Sequence, residues 1–161
     1  MSLQLITKIE AAIYNYLKDK KNLTEDGIQN ELTQKNNFQA QQNKGFFYSF
    51  FNPSREGIDR AIKILNQISE WKNNAEEITQ NHVFNYINQE KGSSNILYGI
   101  LLETFAESLN LDLKKIWNSY MEMAPSGTDI MTMHVYPYKQ YLADKIHERL
   151  VSDIQLVSLA R

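Results

Sequence analysis

The chain has no cysteine, and its 161 residues include only three prolines and six glycines. Without cysteine there is no disulfide staple, no thiolate nucleophile and no Cys-ligated zinc. So few prolines and glycines leave too little turn chemistry for a many-stranded sheet protein. Long hydrophobic runs are missing as well. The most apolar stretch, Ile96 to Leu102, is ended by Glu103, far short of the roughly 20 residues that cross a bilayer. Lys8 and Glu10 interrupt what would be the apolar core of a secretory signal. An excess of one charge is absent too: 17 Lys and Arg face 19 Asp and Glu, for a formal net charge of −2. That balance gives no global attraction to nucleic acid or to an anionic membrane. The resulting expectations are a protein synthesised in the cytosol, no nucleic-acid partner, and membrane-surface binding ranked last.

What is present describes a folded helical chain. A hydrophobic content of 42% with 22% charged residues is that of a globular protein rather than a disordered tail. The length suits one domain. The fold class expected is all-α: a single compact bundle of about seven helices with one aromatic-rich loop. Its expected boundary is 1–161, with a main bundle 1–124 and a C-terminal helical segment 125–161 as the sub-division.

Apolar periodicity carries that expectation. Leu5, Ile9, Ile13, Tyr16 and Leu17 form one face of a helix from Ser2 to about Lys20. Thr24 is placed to cap a short helix bearing Ile28 and Leu32. Beyond Pro53, with Ser54 as N-cap, Ile58, Ala61, Ile62, Leu65 and Ile68 lead to Trp71. Asn74 and Glu77 match a capping box opening a helix through Ile78, Val83 and Ile87. The wide apolar face of Ile96, Leu97, Ile100, Leu101, Phe105 and Leu109 marks a central helix. Asp112 then caps a helix carrying Ile116, Trp117, Tyr120 and Met121, with Leu111 and Ile116 as its hydrophobic staple. Pro125-Ser126-Gly127-Thr128 is a linker, and Asp129 to Tyr136 is read as a short helix. Pro137 suits the first turn of a long terminal helix whose buried face is Tyr138, Leu142, Ile146, Leu150, Ile154 and Val157.

Few residues invite chemistry. The aperiodic run from Asn36 to Pro53 contains Phe46, Phe47, Tyr48, Phe50 and Phe51. It is read either as an exposed anchor for a partner or as a plug between helices. The expense of leaving phenylalanines in water favours the plug. In Ser54-Arg55-Glu56-Gly57-Ile58-Asp59-Arg60-Ala61, Arg55 and Arg60 can receive a phosphate or carboxylate near a helix N-terminus. The plainer reading is a solvated face of i,i+4 pairs, Glu56 with Arg60 and Asp59 with Lys63. The three histidines, His82, His134 and His147, form no H-E-x-x-H pair. Ser126-Gly127-Thr128-Asp129 lacks the length and the lysine of a P-loop. Met121, Met123, Met131 and Met133 flank Pro125 and are read as core filler around a loop.

The run Gly45-Phe46-Phe47-Tyr48-Ser49-Phe50-Phe51, followed by Ser54-Arg55-Glu56-Gly57-Ile58-Asp59-Arg60-Ala61 in an Asn-, Gln- and Lys-rich helical context, resembles helical modules of Legionella-type secreted effector proteins. The likeness covers residues 1–110. It implies a bacterial protein translocated into a host cell without an N-terminal signal, and it brings no catalytic residues. The function expected is a non-enzymatic protein-interaction or accessory domain with a bacterial or host protein as partner. Its candidate surface is Phe46, Phe47, Phe50, Phe51, Arg55 and Arg60. The alternative is a module or enzyme that takes a phosphorylated ligand in a pocket of Arg55, Glu56 and His82 or His134. No catalytic residue, metal ligand or cofactor is assigned.

Overall fold

The computed structural model describes residues 2–33, 53–90, 95–123 and 135–160, with side chains for 3–33, 57–90, 96–123 and 138–154. The chain is all-α. Among the described residues there are seven α-helices, one 3-10 turn and no strand. They fall into two compact units, Met1–Ile78 and Thr79–Arg161.

The first unit contains α1 (Ser2–Asp19), α2 (Glu25–Thr33), α3 (Pro53–Asn73) and a 3-10 turn at Ala75–Glu77. The stripe read on α1 is buried, and Ile6 joins it at 0% exposure. On α3 the buried arc runs from Ile58 to Trp71 and also takes in Ile64. Each such side chain removed from water contributes roughly 1.5–3 kcal/mol, so the α1–α3 contact carries this unit. Lys72 on α3 reaches Glu10 on α1 at 2.6 Å along the same seam.

Sharp chain reversals in this unit depend on particular residues. Asn22 takes a left-handed conformation (φ 57°), a region asparagine tolerates better than most residues. The Leu23 N–H then donates back to the Leu17 carbonyl at 3.0 Å. Thr24 caps α2 as its sequence position implies, its Oγ1 accepting from the Gly27 N–H at 3.0 Å. Helix α3 begins two residues earlier than a Ser54 cap implies. Pro53 is itself helical, so Ser54 lies inside the first turn and is not the N-cap. Proline's fixed φ suits that first position.

The second unit contains α4 (Gln80–Asn88), α5 (Asn95–Ser108), α6 (Leu113–Met123) and α7 (Val135–Ala160). The start of α4 corrects the capping-box reading. Asn74 makes no side-chain cap bond and is followed only by the 3-10 turn. Thr79, in extended backbone, is the cap, its Oγ1 accepting from the His82 N–H at 3.0 Å. Helices α5 and α7 each pack against the other three helices of this unit, and together they form its centre. Helix α5 buries Leu97, Tyr98, Leu101, Leu102, Phe105 and Ala106, with Leu109 buried just past its end, whereas Ile96 is exposed. The buried Tyr98 hydroxyl donates to Asn88 Oδ1 at 2.7 Å, satisfying the one polar atom of that ring. Phe84 and Phe105 join α4 to α5, ring centroids 5.5 Å apart.

Helix α7 buries Leu142, Ala143, Ile146 and Leu150, but Ile154, expected on the same face, is 54% exposed. At 26 residues α7 is far longer than the 14-residue α5, and its stripe outruns the helices that cover it.

Candidate functional site

The chain between α5 and α6 is closed by local hydrogen bonds. Asn110, with φ 61°, ends α5 in a left-handed turn. The Asn110 N–H donates to the Glu107 carbonyl and the Leu111 N–H to the Ala106 carbonyl, both at 3.0 Å, which is the Schellman arrangement. Asp112 then caps α6, its Oδ1 accepting from the Lys115 N–H at 3.1 Å. This sequence of stop and cap fixes where α6 begins and therefore where its aromatic residues stand.

Helix α6 is amphipathic, yet none of its residues is buried. Trp117 remains 37% exposed and Met123 68%. Trp117 and Tyr120 are neighbours on one face, and Tyr138 and Tyr141 of α7 meet them with the same i,i+3 spacing. Trp117 and Tyr138 stand edge to face with centroids 4.7 Å apart. Tyr120 lies 5.5 Å from Tyr138, 5.5 Å from Tyr141 and 6.2 Å from Trp117. Lys145 Nζ sits 5.2 Å from the centre of the Tyr141 ring, within cation–π range. Rings this close fill the space between them. The cluster therefore forms a fixed surface rather than an open cage.

Beside the cluster is a group of shifted ionisable side chains. Burial raises the Glu103 pKa above 4.5, the Glu107 charge one turn away raises it further, and Lys139 opposes both. Burial lowers the Lys139 pKa below 10.5, with Glu103 opposing. Burial raises the Tyr138 pKa above 10.0, and Glu103 adds to it. Lys139 approaches α5 closely because residue 99 is glycine, and a β-carbon there would lie 3.2 Å from its Cε. Each dominant shift favours the neutral form, as partial desolvation does.

The residues singled out in the sequence are placed as follows. Phe46, Phe47, Phe50 and Phe51 lie outside the described residues, as do Met131, Met133, His134 and the Ser126–Asp129 connector. Arg55 and Glu56 are in the first turn of α3, with side chains outside the description. Arg60 is half-buried on the same helix. Asp59 is buried at 8% exposure, unlike the solvated residue expected there, whereas Lys63 is exposed. His82 is exposed on α4 in the other unit from Arg55. His147 is exposed, its ring 6.5 Å from that of Phe84. Among the described residues no group of three or more His, Asp or Glu could hold a metal ion. No described helix is long and apolar enough to cross a membrane.

An open groove of about 370 Å³ lies between Thr79, Gln80 and Asn81 at the start of α4 and Leu150, Asp153 and Ile154 of α7.

No family model, curated protein or solved structure matches the chain. Its function must be argued from its own residues.

The aromatic cluster is the feature that sequence reasoning passed over. Periodicity places Trp117, Tyr120 and Tyr138 on apolar stripes, which treats them as core. The paired spacing Trp117-x-x-Tyr120 and Tyr138-x-x-Tyr141 was the available signal. It becomes specific only when α6 and α7 are known to be neighbours.

Proposed function

We propose that the chain is a non-enzymatic helical protein-interaction module that docks a partner protein against the aromatic face of α6 and α7. The observation that carries this reading is Trp117: it is more than one-third exposed, yet it is held edge to face on Tyr138. A large ring ordered before binding loses little side-chain entropy when a partner covers it. Tryptophan and tyrosine are also the residues that most often dominate interface energetics. A bacterial or host protein is the partner proposed, and a secreted-effector context rests on the sequence motif of residues 45–61 alone.

The test is a selection from displayed protein and peptide libraries on the folded wild-type chain, followed by affinity measurement against Trp117→Ala. Ligands that lose tenfold or more in affinity for the variant support the reading. Ligands that bind both proteins equally sink this assignment of the docking face.

A further inference from the structure

No further inference is drawn: the strongest candidate, the open groove of about 370 Å³ between the first turn of α4 and Leu150, Asp153 and Ile154 of α7, combines a helix start already capped by Thr79 with an aspartate already bonded to Arg149, and nothing in the structure shows what covers it.

Discussion

The phenolic oxygen of Tyr16 lies where a β-carbon on residue 57 would have to project, so α1 and α3 approach each other through the bare backbone of Gly57. Lys21 crowds the same point, its Cε within 2.8 Å of that position. The lysine end can swing away. Tyr16 is 6% exposed and has nowhere to go. An exposed Gly→Ala change in a helix gains about 1 kcal/mol of propensity, whereas overpacking a filled site costs about 1–3 kcal/mol. Gly57→Ala should therefore destabilise the chain by up to about 2 kcal/mol in urea unfolding. Combining it with Tyr16→Phe should recover part of the loss. A Gly57→Ala protein at least as stable as wild type would contradict the close approach.

Gly99→Ala provides the opposite case. A β-carbon there meets only the far end of Lys139 at 3.2 Å, and a flexible lysine terminus moves at little cost. Helix propensity should then win, giving a gain of about 0.5–1 kcal/mol. The two glycines lie within helices of the same chain but should respond with opposite signs, and denaturant midpoints measured side by side would decide it.

The two candidate caps before α4 separate in the same way. Thr79→Ala removes the acceptor for the His82 N–H and should cost about 1 kcal/mol. Asn74→Ala removes no cap bond and should change stability by only a few tenths of a kcal/mol. If Asn74 proved the costlier loss in thermal unfolding, the boundary drawn for α4 would be wrong.

This pair also shows how far the sequence could be read. The stripes of α1, α3 and α5 were legible because burial repeats every three to four residues whatever the helices pack against. The Thr24 and Asp112 caps were legible because each immediately precedes its helix. Asn74 and Glu77 carried the spacing of a capping box, but extended backbone at Ile78 and Thr79 separates them from α4. A local pattern does not reveal that a single 3-10 turn intervenes. Ile154 failed for the complementary reason: its phase on α7 was right, but the length over which α7 is covered is a tertiary fact. The aromatic cluster was hidden in the same manner, since it exists only through the meeting of α6 with α7.

The carboxyl of Glu103 should set a pH dependence. Its pKa in the folded chain is raised above 4.5, so its protonated form fits the fold better than its carboxylate. That contribution to stability is full below pH 4.5 and is lost as pH rises through the raised value. Lys139 has the depressed pKa of a base: its contribution is full above pH 10.5 and is lost as pH falls through the lowered value. Glu103→Gln should accordingly raise the melting temperature at pH 7, by only about 1–2 °C because the carboxylate is partly desolvated and solvent still screens it. The gain should shrink as the pH approaches 4. An equal shift at both pH values, or a loss at pH 7, would rule out burial as the cause.

Trp117 allows folding and docking to be measured apart. The chain has two tryptophans, and Trp71 is 3% exposed against 37% for Trp117. Iodide should therefore quench the Trp117 emission and leave that of Trp71 nearly untouched. Replacing Trp71 with alanine empties core space and should cost about 3–5 kcal/mol. Replacing Trp117 removes its ring contacts with Tyr138 and Tyr120, each worth about 0.5–1.5 kcal/mol at most, and leaves a surface that water can fill. The Trp117→Ala protein should keep its helical circular dichroism and unfold cooperatively, while losing tenfold or more, about 1.4 kcal/mol, in affinity for any ligand docked on the aromatic face. A Trp117→Ala chain that melts as early as Trp71→Ala would make Trp117 a core residue, and the docking face would lose its anchor.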